Sequence, residues 1–189
     1  MTKYVKVKNT VVKSYCGSTV PRITDLIRFG DLEVKEFSRI FIQIGTNDIA
    51  NLIDSGRMQS VSVHDVLRRF KTLRDVIRKR NSGALIIFSS ILPRLNRYDL
   101  FKPYVSGINF AMEKRYAKSL GATIYNPTYA TFLDHGMPRE ELYSVSDGLH
   151  LNGAGVDRLE AAIAQALSTG YLLERARSLR LRKLAVIDY

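Results

Sequence analysis

The sequence has little cysteine and no long hydrophobic run, and both absences exclude classes of protein. Cys16 is the single cysteine among 189 residues, which excludes an internal disulfide framework and a cysteine-rich zinc site. No apolar run approaches the roughly 20 residues that a membrane-spanning helix needs. The lysine-bearing stretch Met1–Val12 lacks the apolar core of a secretory signal. We therefore expect an intracellular, cytoplasmic protein in a reducing compartment, with neither a metal nor another cofactor.

The charge of the chain is unusual. Lysine and arginine together number 29, against 18 aspartates and glutamates, and the formal net charge is +11. Such an excess favours a polyanionic partner, with nucleic acid ahead of an anionic membrane surface. Solubility is the alternative reason for a positive charge, so the placement of the charges matters more than their sum.

Hydrophobic periodicity predicts an α/β protein in which strands and helices alternate. The expected strands are Tyr4–Val12, Arg39–Ile44, Ala84–Phe88 and Ala122–Tyr125. The expected helices run from Pro21 to Gly30, from Ser62 with Asp65 in a capping box, and over Gly107–Leu120, Val156–Leu167 and Tyr171–Leu184. Ser89–Ser106 is expected to be a long loop. We predict one domain over residues 1–170, with a mostly parallel sheet between helices, and a basic helix or tail over 171–189.

Candidate chemistry follows the predicted strands, because ligands of parallel sheets bind at the carboxyl ends of the strands. Asp147 and His150 are three residues apart in a loop, where the carboxylate can hold Nδ1 of the imidazole and leave Nε2 as a base. The amide of Asn47 and the backbone N–H of Gly17 could donate to an oxyanion. Each motif by itself is also ordinary turn chemistry.

Taken together, Gly17, the turn Gly45-Thr46-Asn47-Asp48 and the loop Asp147-Gly148-Leu149-His150 resemble the sequence blocks of the SGNH (GDSL-type) hydrolases. The resemblance implies a flavodoxin-like, three-layer α/β/α fold and ester hydrolysis by a Ser-His-Asp triad. It gives Asp147 and His150 the roles of triad acid and base. It also gives Gly17 and Asn47 the roles of oxyanion donors, and it makes an ester the expected substrate.

The nucleophile block of that family, Gly-Asp-Ser at the end of the first strand, does not occur upstream of Gly17. Tyr4–Val12 therefore resembles the second strand of the family, and we expect the first strand to be missing. Ser14, Cys16 and Ser18 neighbour the expected oxyanion donor rather than facing the base, so the nucleophile stays unassigned. A shortened copy of a hydrolase and a non-catalytic descendant that binds a ligand are the two explanations, and we expect little or no esterase turnover.

Basic residues gather in runs that favour a second function, binding of single-stranded RNA or another polyanion on the same fold. Their contacts would be to phosphates, independent of sequence and sensitive to salt, whereas the ordinary reading is a solvated helix face. The candidate nucleic-acid-binding residues are Arg68, Arg69, Lys71, Arg78, Lys79, Arg80, Arg177, Arg180, Arg182 and Lys183.

A narrower resemblance accompanies this alternative. Ile91-Leu92-Pro93-Arg94, with Asn109 downstream, is similar to esterase-like domains carried by retroelement-encoded proteins. The RNA-binding domain of the germ-plasm protein Oskar has the same fold. Tyr98, Phe101 and Tyr104 could stack on bases, although packing beneath the long loop is the more ordinary role for them.

Overall fold

A five-stranded parallel sheet forms the centre of the computed structural model, which describes residues 10–57, 62–116, 123–175 and 184–188. The strands of the sheet are β1 (Thr10–Ser14), β2 (Arg39–Ile42), β3 (Leu85–Ser89), β4 (Thr123–Asn126) and β7 (Leu184–Asp188). Their order across the sheet is β1-β7-β2-β3-β4, and every neighbouring pair is parallel. A small antiparallel hairpin, β5 (Leu133–Asp134) with β6 (Met137–Pro138), follows β4.

Helices cover both faces of the sheet, as the α/β/α resemblance implies. They are α1 (Val20–Phe29), α2 (Thr46–Asp54), α3 (Val63–Arg80), α4 (Tyr98–Tyr116) and α5 (Gly153–Arg175), with short 3₁₀ turns at Thr128–Phe132 and Glu140–Leu142. Alternate residues of a strand point to opposite faces, so Ile42 and Phe88 join the core under α1 to α4, while Phe41 and Ile87 join the core under α5. Strands buried on both faces explain why β2 and β3 are almost wholly apolar.

Local sequence signals set several helix ends as expected. Gly30, at φ +93°, caps the C-terminus of α1, and its N–H donates to the carbonyls of Ile27 and Leu26. The Ser62–Asp65 capping box is present at α3, where each side chain accepts a hydrogen bond from the other residue's backbone N–H. Such a cap satisfies N–H groups that the first turn of a helix leaves without partners.

The expected long loop over 89–106 was wrong in its second half, because α4 begins at Tyr98 rather than near Gly107. Pro103 lies inside the helix and is the reason that the sequence suggested a loop, since proline removes a helical N–H. Tertiary burial outweighs that cost. The side chains that α4 buries at helical spacing are Phe101, Val105, Ile108 and Met112.

The expected separate helix Tyr171–Leu184 is confirmed only in that residues 171–175 are helical, as the end of α5; it was wrong at Leu184, and residues 176–183 lie outside the described residues. α5 runs without a break from Gly153 to Arg175, and residues 184–188 form the strand β7. A short apolar run does not tell a strand from a buried helix segment by periodicity, and sheet pairing decides the case here. The division of the chain at residue 170 stays a prediction.

β7 is an interior strand of the sheet, second from its β1 edge. It lies between β1, which is at the edge, and β2, and it is parallel to both. β1 is followed directly by the Gly17 turn and α1, as expected for the second strand of the resemblance. In the part of the chain that the structure describes, no helix is both long and apolar enough to cross a membrane.

Candidate active site

The side chains of Asp147 and His150 form a hydrogen-bonded pair, with 2.7 Å between Oδ2 of the carboxylate and Nδ1 of the imidazole. The other oxygen, Oδ1, accepts the backbone N–H groups of Leu149 and His150 at 2.8 and 2.9 Å. The hydrogen bond from His150, followed by these backbone bonds, lowers the pKa of Asp147 to about 2. A carboxylate can only accept, so the proton of the neutral imidazole lies on Nδ1 and Nε2 is free to act as a base.

The loop that carries this pair is fastened to the segment after β3. The carbonyl of Gly148 accepts hydrogen bonds from the N–H groups of Leu95 and Asn96, at 2.8 and 3.1 Å. The Nδ2 of Asn96 donates to the carbonyl of Asp147 at 2.7 Å. The imidazole side chain is 53% exposed, so it faces solvent while its backbone is held.

The segment after β3 is itself fixed by a buried amide. Asn109 of α4 accepts the N–H of Ile91 through Oδ1 at 2.8 Å and donates to the carbonyl of Ile91 through Nδ2 at 2.9 Å. Ile91 also packs tightly on Gly45, where an added Cβ would lie 2.7 Å from Cδ1 of Ile91. Gly45 has φ +125°, so both its backbone and its surroundings require glycine. The segment 91–96 therefore connects the loop of Asp147 to the turn before Asn47.

The two expected oxyanion donors lie beside each other after β1 and β2. Asn47, in the first turn of α2, donates from Nδ2 to the carbonyl of Ser18 at 3.1 Å. Gly17 precedes Ser18, is exposed and has φ +70°, with open space where a Cβ would be. One N–H of the Asn47 amide remains for a ligand, because the amide nitrogen carries two.

Gly17 and Asn47 follow the carboxyl ends of β1 and β2. The loop of Asp147 and His150 is hydrogen-bonded to the segment that follows the carboxyl end of β3. The structure brings Gly17 and Asn47 together through Ser18, and it brings Asp147 and His150 together directly. The segment 91–96 lies between the two pairs. The arrangement can hold a negatively charged oxygen on one side and accept a proton on the other.

Asp48 supports the site, and sequence reasoning did not single it out. Its carboxylate is fully buried and accepts the N–H of Val20 at 2.8 Å and the Nη1 of Arg69 at 2.9 Å. Burial raises the pKa of Asp48, and both hydrogen bonds oppose that rise. The contacts tie α2, α1 and α3 together beside Asn47. An acidic residue directly after a buried strand and next to a candidate donor was the available signal.

No nucleophile is apparent next to the imidazole. Among the described residues, no hydroxyl or thiol is hydrogen-bonded to Nε2 of His150. Ser14 is exposed at the end of β1, Cys16 is exposed in the turn that follows, and Ser18 is buried. Within the described ranges, no three His, Cys, Asp or Glu side chains come close enough together to hold a metal ion.

The basic residues of α3 divide into exposed and internally bonded groups. Arg68, Lys71 and Lys79 are exposed, although Arg68 is paired with Asp65 and Lys71 with Asp75. The others bond inward: Arg69 to Asp48, Arg78 to the carbonyls of Ser82 and Ala84, and Arg80 to the carbonyl of Arg28. Only part of the expected basic face is therefore open to a partner.

The remaining expected contacts with nucleic acid have different outcomes. Arg177, Arg180, Arg182 and Lys183 lie outside the described residues. Tyr98 and Phe101 are buried, and Tyr104 packs against the core, so these aromatic side chains have packing roles. A buried ring has no free face for a base, so the structure does not support stacking by Tyr98 and Phe101; Tyr104 is half-buried.

A carboxylate-oriented imidazole and amide donors at the carboxyl edge of a flavodoxin-like sheet are typical of acylhydrolase domains. The family model described as GDSL-like lipase/acylhydrolase matches residues 2–158. The chain thus belongs to the GDSL-like lipase/acylhydrolase family, as the sequence blocks suggested. No curated protein matches it in sequence.

Solved structures share this fold at low sequence identity. A Streptococcus pneumoniae protein assigned as a platelet activating factor is 21% identical with a TM-score of 0.64, over 80% of this chain and 69% of that one. The OSK domain of Drosophila Oskar is 16% identical with a TM-score of 0.62, over 80% and 71%. A family 3 carbohydrate esterase from Clostridium thermocellum is 18% identical with a TM-score of 0.59, over 83% and 69%.

Proposed function

We propose that the chain is an acylhydrolase-type domain that binds esters at the carboxyl edge of its sheet and hydrolyses them slowly. The observation that carries the proposal is the 2.7 Å contact between Asp147 and His150. It orients the imidazole and leaves Nε2 without a partner among the described residues. Membership of the GDSL-like lipase/acylhydrolase family supports the same chemistry.

Water is the nucleophile in this proposal. Nε2 of His150 takes a proton from a water molecule as its oxygen attacks the acyl carbon, and Asp147 stabilises the resulting imidazolium. The N–H of Gly17 and the amide of Asn47 hold the negative oxygen of the tetrahedral intermediate. When the intermediate collapses, the imidazolium returns its proton to the leaving alkoxide. The products are the carboxylic acid and the alcohol.

The reaction is slow because no described hydroxyl or thiol takes part. In enzymes with a complete triad, loss of the serine lowers kcat by about 10⁶-fold and leaves the contribution of binding and the oxyanion site. A mechanism that lacks an acyl-enzyme also lacks a burst of the first product. Slow, burst-free hydrolysis is therefore the expected kinetic behaviour.

Hydrolysis of p-nitrophenyl acetate tests this proposal. We expect slow release of p-nitrophenol above the buffer rate, without a burst, and its loss in His150→Ala. His135→Ala is the matched control, because the His135 side chain is 98% exposed in the β5–β6 hairpin, and this variant should keep the full rate. Equal rates in His150→Ala and the unaltered chain would exclude a role for the imidazole. A stoichiometric burst would instead reveal a covalent nucleophile.

A second candidate function is binding of single-stranded RNA or another polyanion. The net charge of +11 and the exposed residues Arg68, Lys71 and Lys79 on α3 support it. The fold shared with the OSK domain of Oskar is compatible with a role other than catalysis, because one fold carries many functions. The salt dependence of binding distinguishes this candidate from ester hydrolysis.

A further inference from the structure

Arg94 is a charged side chain that the fold keeps in its interior. It lies in the segment after β3 and is 7% exposed, and its guanidinium carbon lies 4.2 Å from the centre of the Phe101 ring. Burial of a charge is costly unless hydrogen bonds and attractive contacts compensate for it, and the face of an aromatic ring attracts a cation at this distance. Phe101 is itself buried, so the guanidinium rests on a fixed support.

The guanidinium sets the orientation of one amide. Nε of Arg94 donates to Oδ1 of Asn96 at 2.8 Å. The hydrogen-bonding groups of arginine are all donors, whereas the amide of asparagine has an accepting oxygen and a donating nitrogen. The contact therefore excludes the flipped amide, whose nitrogen would face the guanidinium. In the orientation that remains, Nδ2 of Asn96 points at the carbonyl of Asp147 and donates to it at 2.7 Å.

Asn96 holds two consecutive carbonyl groups of the loop that carries the base. Its side chain binds the carbonyl of Asp147, and its backbone N–H binds the carbonyl of Gly148 at 3.1 Å. The approach is close, because a Cβ added to Gly148 would lie 3.0 Å from the backbone nitrogen of Asn96. Oδ2 of Asp147 in turn holds Nδ1 of His150. A continuous series of contacts thus leads from Arg94 to the imidazole.

The next residue fastens the same segment to α2. Arg97 has φ +56°, a conformation that residues other than glycine rarely adopt and that persists only where the surroundings hold it. Its Nη1 lies 2.8 Å from Oδ1 of Asp54, the last residue of α2, and its guanidinium carbon lies 5.6 Å from the centre of the Phe101 ring. Asn96 consequently lies between two arginines that contact the same buried ring, which restricts its movement away from the loop.

We propose that Arg94 is a positioning residue for His150, because by fixing the amide of Asn96 it holds the Asp147 loop in the geometry that leaves Nε2 as a base. Arg94 acts through Asn96 and Asp147 and takes no direct part in bond making. The catalytic meaning of this role rests on the proposed ester hydrolysis, whereas the fixed tautomer of the imidazole does not. Without Arg94, the amide of Asn96 can flip and withdraw its donor from the carbonyl of Asp147.

Nitrogen NMR of the His150 ring tests the role of Arg94 without any need for activity. At pH 8, where an imidazole is ordinarily neutral, we expect the proton on Nδ1 in the unaltered protein and a mixture of the two tautomers in Arg94→Met. Arg78→Met is the matched control, because Arg78 also bonds inward, to the carbonyls of Ser82 and Ala84, but at the opposite edge of the sheet. It should lose stability without changing the His150 signals.

His150 signals in Arg94→Met that match those of the unaltered protein would overturn the proposal, as would equal changes in Arg94→Met and Arg78→Met. The signals themselves are assigned by their absence from His150→Ala.

Asn96→Asp separates positioning from folding, and it decides the question if Arg94→Met does not fold. The new carboxylate can still accept from Arg94 but cannot donate to the carbonyl of Asp147. We expect the same mixture of tautomers. We also expect kcat for p-nitrophenyl acetate to fall by about tenfold or more with KM nearly unchanged, because misplacing a catalytic group by about 1 Å can cost about 100-fold.

An unchanged tautomer in Asn96→Asp would contradict the role given to the amide. This outcome is distinguishable from failure of the proposed hydrolysis. A lack of turnover in the unaltered protein would count against ester hydrolysis alone, and the NMR comparison of the variants would still decide whether Arg94 positions His150.

Discussion

At the scale of single residues, Arg69 shows that a basic side chain on a surface helix can serve a buried partner in the protein. Sequence reasoning grouped it with the residues that bind nucleic acid. Its guanidinium instead neutralises the fully buried carboxylate of Asp48, with a 2.9 Å contact. Because a buried charge without a partner is costly, this ion pair secures the helix start that carries Asn47.

Replacing Arg69 with methionine should destabilise the fold by about 3 kcal/mol, because the carboxylate of Asp48 remains buried and keeps the N–H of Val20 but loses the guanidinium that pairs with it. Burial already raises the pKa of Asp48, and loss of Arg69 raises it further. The deficit should therefore shrink as the pH falls and the carboxyl takes up a proton. Urea unfolding at pH 7 and pH 5 measures both effects.

Arg74→Met is the matched control for Arg69→Met. The two arginine side chains are similarly exposed, at 29% and 32%, but the partner of Arg74 is Asp75, whose side chain is 44% exposed. Exposed ion pairs contribute about 1 kcal/mol or less. Similar losses of unfolding free energy in the two variants would show that the buried carboxylate of Asp48 is not stabilised by Arg69.

The pair of Asp147 and His150 makes a second prediction at this scale. The pKa of Asp147 is lowered to about 2, chiefly by the hydrogen bond from His150. A lowered carboxyl pKa gives stability that is present above the ordinary value near 3.9 and is lost as the pH falls through the folded value. Asp147→Asn should thus be less stable by about 1 kcal/mol or less at pH 7, since its surroundings are partly exposed.

The difference in stability between the unaltered protein and Asp147→Asn should disappear as the pH falls from 4 to 2. Urea unfolding of both proteins across this range measures it, and carbon NMR of the Asp147 carboxyl gives the titration directly. In His150→Ala the NMR midpoint should move upward towards the ordinary value. A midpoint that His150→Ala leaves unchanged would contradict the assigned cause.

At the scale of elements, the site depends on how α4 holds the segment after β3. The amide of Asn109 makes both hydrogen bonds of the Ile91 backbone, and the same segment carries Leu95 and Asn96, which bind Gly148. A helix that is distant in sequence from the Asp147 loop therefore fixes the position of that loop. Side-chain packing within the loop alone would not do so, because the imidazole is half exposed.

Replacing Asn109 with leucine should cost about 2 to 4 kcal/mol, because the side chain keeps a similar volume but leaves the buried N–H and carbonyl of Ile91 without these partners. Amide hydrogen exchange at Leu95 and Asn96 should become faster. Asn51→Leu on α2 is the control, since Asn51 is exposed and such substitutions change stability by about 0.5 kcal/mol or less. Equal losses of unfolding free energy in the two variants would contradict the role of Asn109 in holding the segment after β3.

At the scale of the whole molecule, the basic residues behind the net charge of +11 serve more than one purpose. Part of the charge is used for internal hydrogen bonds by Arg69, Arg78 and Arg80. A polyanion would meet the exposed residues of α3 instead. Because neutralised phosphates release counterions, the logarithm of the affinity for RNA should then fall linearly with the logarithm of the salt concentration.

We expect a single-stranded RNA to bind with such a slope, and the triple variant Arg68→Gln, Lys71→Gln and Lys79→Gln to reduce the slope by about 2, at roughly 0.7 per phosphate contact. Fluorescence anisotropy across a range of salt concentrations measures it. Replacing the inward-bonded Arg80 with glutamine should change the slope much less. An affinity that does not depend on salt would exclude this mode of binding.

The sequence by itself determined the class of fold, and it offered four candidate site residues that match the family blocks. Apolar runs marked the buried strands, because strands covered on both faces exclude polar residues. Gly17, Asn47, Asp147 and His150 were predicted because short-range chemistry constrains their neighbours: turns require glycine, and a carboxylate three residues from an imidazole can reach it. These signals are local and can be read without coordinates.

Only the tertiary structure decided the features that depend on distant contacts. α4 continues through Pro103 because its buried face outweighs one lost hydrogen bond. Asp48 proved to be buried, with the half-exposed Arg69 as its partner, and the sequence of an amphipathic helix does not reveal such a pair. β7 became an interior strand because β1 and β2 offer it hydrogen bonds on both sides, and the pairing of strands that are far apart in sequence leaves no local pattern.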